Sequence, residues 1–200
     1  MTTVGVIGAG GIGQAFAGHV VKAGHAVILS NSRGPDSLRD VVSRLGPRAK
    51  AGTREEAAAA EMVFVAARWA QLPAALSGLP AWNGRILIDA ANPIVPPGFT
   101  KADLQGRTSG EIVASLAPGA RVVKVVNTLP VALLASDPNQ SGGHRVLFMS
   151  GDDPTAKAEV SGLLAKAGFA AIDVGGLASG GRLHEVPGGL LTNLNLIKFG

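Results

Sequence analysis

The chain has 200 residues, 18 Lys and Arg against 14 Asp and Glu for a net charge of +4, and no cysteine. That length carries one compact body with a sizeable core, and zero cysteines exclude a disulfide framework, thiolate metal sites and a cysteine nucleophile. Hydrophobic residues at 46% against 16% charged ones exclude disorder; the basic excess comes without a Lys/Arg run and without tyrosine, so no nucleic-acid partner is expected.

The N-terminal "MTTVGVIGAG" enters a strand pattern at once, without the basic and apolar regions of a secretory signal. Glu61, Arg68 and Lys124 cut the longest apolar stretches short of a membrane span. A cytoplasmic protein without membrane contact is the expectation. Residues 3–8 read as an apolar strand running into glycines. Helical spacing follows through Ile12, Phe16, Val20 and Val21 to a stop at Gly24, and 26–32 reads as a second strand, the kind buried on both faces of a parallel sheet. A helix over 36–45, a strand near 48–52, a helix over 54–60 and strands over 62–67, 85–90 and 121–127 continue the alternation. Thr108 with Glu111 three residues later forms a capping-box pattern and predicts a helix over 109–116. Strand 144–151, helix 154–167 opened by Asp153 and Pro154, and strand 170–175 make a further βαβ-like unit. The fold class expected is α/β, a doubly wound parallel sheet of Rossmann type with a small C-terminal cap. Residues 1–175 form the dinucleotide-binding body with its βαβ extension. Residues 176–200, glycine-rich and then apolar at helical spacing, form the cap.

Gly8-Ala9-Gly10-Gly11-Ile12-Gly13 matches G-x-G-x-x-G. Alone the pattern is weak; following a predicted strand and opening a predicted helix, it is the dinucleotide fingerprint in its confirming context. Gly8 permits the tight turn, Gly10 lets a pyrophosphate approach the backbone and Gly13 lets helix and strand pack closely. The phosphates would rest on the free N–H groups of the helix N-terminus. About twenty residues on, an NAD-binding protein places an acid for the ribose 2′-OH. Here stand Asn31, Ser32 and Arg33, none negative. Ser32 can donate to a 2′-phosphate and Arg33 can add a charge-assisted bond, so NADP(H) is the expected cofactor.

Ligands of open α/β sheets bind outside the carboxyl ends of strands. Three such ends carry candidates for cofactor binding: Ala67 and Arg68 in "AARW", Asn92 and Pro93 in "DAANP", and Asn127, Thr128 and Leu129 in "VNTLP". Asn-Pro and Asn-Thr also terminate strands, and the residues leave both readings of the asparagines open. Without tyrosine there is no Tyr and Lys pair for carbonyl reduction. Lys124 reads as a snorkelling residue at a sheet face, His19 and His25 as surface or capping residues, and His144 and His184 as structural histidines. No paired carboxylates and no ligand-spaced histidine cluster occur, so neither a metal nor a catalytic acid or base is expected. Hydride transfer between stacked rings needs positioning rather than proton machinery, whereas a carbonyl reductase needs a proton donor for the alkoxide.

"VGVIGAGGIGQAFA", "SNSRG", "IDAANPI", "TSGEIVASLAPGARVVKVVNTLP", "FMSGDDPTAKAEVSGLLAKAGF" and "IDVGGL", in that order along nearly the whole chain, resemble the NADPH-dependent F420 reductases. The resemblance implies a Rossmann domain holding NADP(H), Ser32 and Arg33 at the 2′-phosphate, and hydride passing directly between nicotinamide and F420 or a flavin as co-substrate. It also implies that Asn92-Pro93 and Asn127 to Pro130 line the cleft where the rings meet, and that Arg182, Glu185 and Asn195 belong to the matching C-terminal segment. Arg68, Val126 and the glycines of "VPGGLL" depart from the family pattern. The alternatives are an NADPH-dependent imine or carbonyl reductase, against which the short cap argues, and a non-catalytic NADP(H) sensor. The apolar "LLTNLNLI" calls for a partner surface, and a homodimer is expected.

Overall fold

The computed structural model describes residues 1–200. In chain order the elements are β1 (Thr3–Ile7), α1 (Gly11–Lys22), β2 (Ala26–Ser30), α2 (Arg39–Leu45), β3 (Ala49–Ala51), α3 (Arg54–Ala58), β4 (Met62–Val65), α4 (Leu72–Leu76), β5 (Ile86–Asp89), β6 (Ile94–Val95), β7 (Thr100–Lys101), α5 (Ser109–Leu116), β8 (Arg121–Lys124), α6 (Val131–Ala135), β9 (Asn139–Gln140), β10 (Gly143–Gly151), α7 (Pro154–Lys166), β11 (Ala170–Asp173), α8 (Gly180–His184) and β12 (Ile197–Lys198). The main sheet runs β11-β10-β8-β5-β4-β1-β2-β3, with β9 and β12 also on β10. From β8 to β3 every pairing is parallel; β10 joins β8 antiparallel. This is the expected Rossmann-like α/β sheet with flanking helices. No helix is long and apolar enough to cross a membrane.

Alternate residues of each central strand enter two cores, one on each face. Val4 and Val6 of β1, Phe64 of β4 and Ile88 of β5 pack with α1 and α7, while Ile7, Val63, Val65 and Leu87 pack with α3, α4 and α5. Period-two alternation with both faces covered is why these strands read as unbroken apolar runs. Gly5 faces α3, where a Cβ would collide with the Ala57 carbonyl. Phe16 stacks on Phe64 with centroids 3.9 Å apart.

The boundaries expected from the sequence differ in an informative way. Predicted strands 62–67, 85–90 and 121–127 leave the sheet at Val65, Asp89 and Lys124, so their last residues, apolar apart from Asn127, become loops at the carboxyl edge. The helix expected over 36–45 begins as a 3-10 turn at Pro35–Leu38. The helical spacing at 190–197 yields no helix: Pro187, Gly188 and Gly189 follow α8, stopping helical hydrogen bonding. The chain continues irregularly until β12 pairs with His144 and Arg145 of β10.

Candidate functional site

Strand order reverses at β1, so β2 and β3 lie on one side of the glycine turn and β4, β5 and β8 on the other. Ligands of such sheets sit across this switch point. Residues from the ends of β1, β2 and β4 and from the start of α3 line an open cleft of about 840 Å³. The turn requires its glycines. Gly8 has φ 109° and a Cβ there would lie 2.6 Å from the Ala66 carbonyl oxygen; a Cβ at Gly13 would strike the Gly8 carbonyl. Around Gly10 a Cβ would meet nothing, which leaves room for a phosphate. Gly10 caps α1 without a side-chain bond, so the first-turn N–H groups remain open to an anion. Gly11 instead packs under Val131 of α6, whose Cγ1 would stand 2.9 Å from a Cβ.

At the far end of the cleft, β2 runs into Asn31, Ser32 and Arg33. The Arg33 N–H donates to Asn31 Oδ1 at 2.9 Å and Asn31 Nδ2 donates to Ser37 Oγ at 2.9 Å. Asn31 therefore shapes the turn, and the exposed Ser32 and Arg33 side chains point their chemistry to the cleft mouth. Ala67 and Arg68 line the opposite wall. Thr53, Arg54 and Glu55, which no motif in the sequence singles out as site residues, enter the cleft because Gly52 N–H bonds the Leu29 carbonyl and sets α3 beside the end of β2. The capping box of Thr53 and Glu56 was the available signal, since it opens a helix at the same sheet edge. Arg54 Nη2 is 2.9 Å from Glu55 Oε1, and Nη1 donates to the Ala74 carbonyl.

Asn92, Pro93, Asn127, Thr128 and Leu129 lie outside this cleft, at the ends of β5 and β8. The fold brings the two asparagines together. Asn92 Nδ2 donates to the Asn127 carbonyl at 2.7 Å, and Asn127 Nδ2 donates to Asn92 Oδ1 at 3.0 Å and to the His184 carbonyl at 2.7 Å. His184 Nδ1 is 3.1 Å from Asn127 Oδ1 and Nε2 is 2.8 Å from Ser150 Oγ. Burial, then the nearby Lys124 charge, lower the His184 pKa to about 3. The neutral ring thus donates from Nδ1 to Asn127 and accepts from Ser150 at Nε2.

Several sequence expectations are corrected here. Lys124 does not snorkel: it is fully buried, with Nζ 2.9 Å from Asp89 Oδ2 and donating to the Ala91 carbonyl at 2.5 Å. Parallel register sets Asp89 directly beside it. His19 is buried, 2.6 Å from the Leu134 carbonyl and edge-on to Phe169, and His25 is buried against the Thr2 N–H. Burial lowers both pKa values. Glu185, also buried, accepts from the Ser109 N–H at 2.5 Å and pairs with Lys101, contacts that hold its carboxyl below the usual range against the opposing effect of burial.

The family described as NADP oxidoreductase, coenzyme F420-dependent, matches residues 3–93. A hypothetical protein, SMa0349 from Sinorhizobium meliloti, is 43% identical with a TM-score of 0.94, covering 99% of this chain and 96% of that one. A protein from Arthrobacter sp. fb24 described as an F420-dependent NADP-reductase is 32% identical with a TM-score of 0.75, covering 88% of this chain and 86% of that one. Rat metalloreductase STEAP3 is 32% identical over 186 residues, which are 92% of this chain and 36% of the relative. The chain spans just over a third of the length of the curated relatives it matches.

Proposed function

Because the chain belongs to the F420-dependent NADP oxidoreductase family, we propose that it moves hydride directly between NADP(H) and a deazaflavin of the F420 type or a flavin. The observation that carries this reading is the pairing of an uncapped helix N-terminus with an unpaired Arg33 at the two ends of one cleft. In one cleft they offer the two kinds of group that a pyrophosphate and a 2′-phosphate need, free N–H donors and a cation. Gly8, Ala9, Gly10, Gly11, Ile12 and Gly13 would hold the pyrophosphate, Ser32 and Arg33 the 2′-phosphate, and Ala67 and Arg68 the wall beside the sugar. Bound there, NADP(H) supplies or accepts the hydride.

Toward the strand ends of β5 and β8, the titratable side chains are already engaged. Lys124 is held by Asp89, Glu185 by Lys101, and neutral His184 by Ser150 and Asn127. None is placed to protonate an alkoxide, which supports ring-to-ring transfer controlled by position. Asn92, Pro93, Asn127, Thr128 and Leu129 are read as the frame of the ring site rather than as proton donors.

We read residues 176–200 as a small cap on a body spanning 1–175. Exposed Leu190, Leu194, Leu196 and Phe199 on that cap support a homodimer in which a second copy covers them. Purified protein mixed with NADPH and F420, FMN, FAD or a set of small imines tests the reaction by loss of NADPH absorbance. Consumption with F420 or a flavin is expected; consumption with imines alone would replace this reading by imine reduction, and tight NADPH binding without any turnover would replace it by a sensor.

A further inference from the structure

Val126 has φ 69°, in the left-handed region where a β-branched side chain is sterically crowded. It lies just past the end of β8 and is buried in the core beside Leu129. Such a conformation persists only where its surroundings over-determine it, and it clusters where strain serves a site. Here the clamps are numerous. The Asn127 carbonyl accepts from Asn92, the Thr128 carbonyl accepts from the Asn193 N–H at 3.1 Å, and the Asn127 side chain is held at both ends by His184. His184 is itself fixed by Ser150. Most of these clamps come from the C-terminal segment, far away in sequence.

Sheet order gives the strained turn its place. The cleft that would take the adenosine half is lined from the ends of β1, β2 and β4 and the start of α3, so a nicotinamide half would extend on toward the ends of β5 and β8, which lead to Asn92 and Val126–Leu129. Hydride transfer between stacked rings depends steeply on distance and alignment. A flexible strand end there would blur both.

We propose that Val126–Leu129 is a strained platform for the ring-exchange end of the cleft, and that His184 is the positioning residue that holds it in its left-handed form. The proposal rests on the function inferred above but concerns a different part of the site. His184 touches no ring and moves no proton. Its imidazole keeps Asn127 in the one orientation that satisfies Asn92, and the C-terminal segment becomes part of the machinery through it.

The test compares wild type, His184→Leu, His184→Gln, Val126→Gly and the Val126→Gly/His184→Leu double variant. Three measurements are made: amide hydrogen exchange of the ligand-free protein, NADPH affinity, and the fluorescence lifetime of bound NADPH, which reports how rigidly the reduced ring is held. His184→Leu is expected to speed exchange at residues 127–129 by about tenfold or more, to change the lifetime, and to leave both NADPH affinity and exchange at residues 8–13 within about twofold. His184→Gln, which keeps a donor for Asn127, is expected to stay near wild type. Glycine adopts the left-handed region without cost, so in the Val126→Gly background His184→Leu should alter the lifetime by less than half as much. Unchanged exchange at 127–129 in His184→Leu, or equal lifetime changes in the two backgrounds, overturns the proposal. Should His184→Leu not fold alone, His184→Ala replaces it in both the wild-type and Val126→Gly backgrounds, with the same outcomes required. If wild type reduces no acceptor, the proposed function fails while exchange and lifetime still decide this inference.

Discussion

Arg33 illustrates how much a single residue can say when its role is local. It follows β2 closely, its backbone is held by Asn31, and its exposed side chain lines the cleft, so in the proposed function the absence of an acid and the presence of a cation bear on the same 2′-phosphate. Arg33→Ala is expected to weaken NADPH by about tenfold, the low end for a hydrogen bond to a charged group, and to leave NADH binding unchanged. Isothermal titration with both cofactors checks this; equal losses would place Arg33 outside the 2′-phosphate site. Arg54 and Lys124 show the opposite case. Arg54 stands in the cleft only because β3 pairs with β2, and Lys124 is an ion-pair partner only because β5 and β8 are neighbours in register. Neither juxtaposition is written in the residues adjacent to them.

At the scale of elements, the strands end where pairing stops rather than where their chemistry changes. β4, β5 and β8 end at Val65, Asp89 and Lys124, and the still apolar residues that follow turn away and lead to Ala67, Asn92 and Asn127. A strand tail beyond the last paired residue is free to bend, and hydrophobicity does not mark that point. The link between α8 and the ends of β8 and β10 has a pH consequence. A histidine whose pKa is lowered by folding takes up a proton on unfolding, so its contribution is complete above 6.5, the ordinary value, and drains as pH falls toward about 3 for His184. His19 and His25 act in the same direction. The carboxyl of Glu185 contributes in a separate, more acidic window, because its lowered pKa matters only once carboxylates begin to protonate. The unfolding free energy read from urea titration is therefore expected to decrease from pH 7 to pH 5, with His184 contributing at most roughly 1.4 kcal/mol per pH unit. His184→Gln should make the fall shallower, and identical slopes in the two proteins would show that His184 does not titrate this way.

Across the whole molecule, the C-terminal segment does more than cover one end. It supplies His184 to Asn127, Glu185 to the first turn of α5, Asn193 to Thr128 and β12 to the edge of β10, while leaving Leu190 and Phe199, at 83% and 62% exposure, to solvent. If a second copy covers these side chains, light scattering should give about twice the chain mass of 20.1 kDa, and Leu194→Asp with Phe199→Asp should return a monomer. A monomer in the unaltered protein would remove the homodimer reading. The sequence by itself determined the βαβ alternation, the glycine turn and the cationic end of β2, because each rests on residues within one turn or one strand of each other. Only the tertiary structure decided that Asn92 meets Asn127, that Lys124 meets Asp89 and that His184 holds a strained Val126 turn. Those contacts join residues 35 to 57 positions apart, and sheet order, which no local periodicity encodes, is what brings them within hydrogen-bond distance.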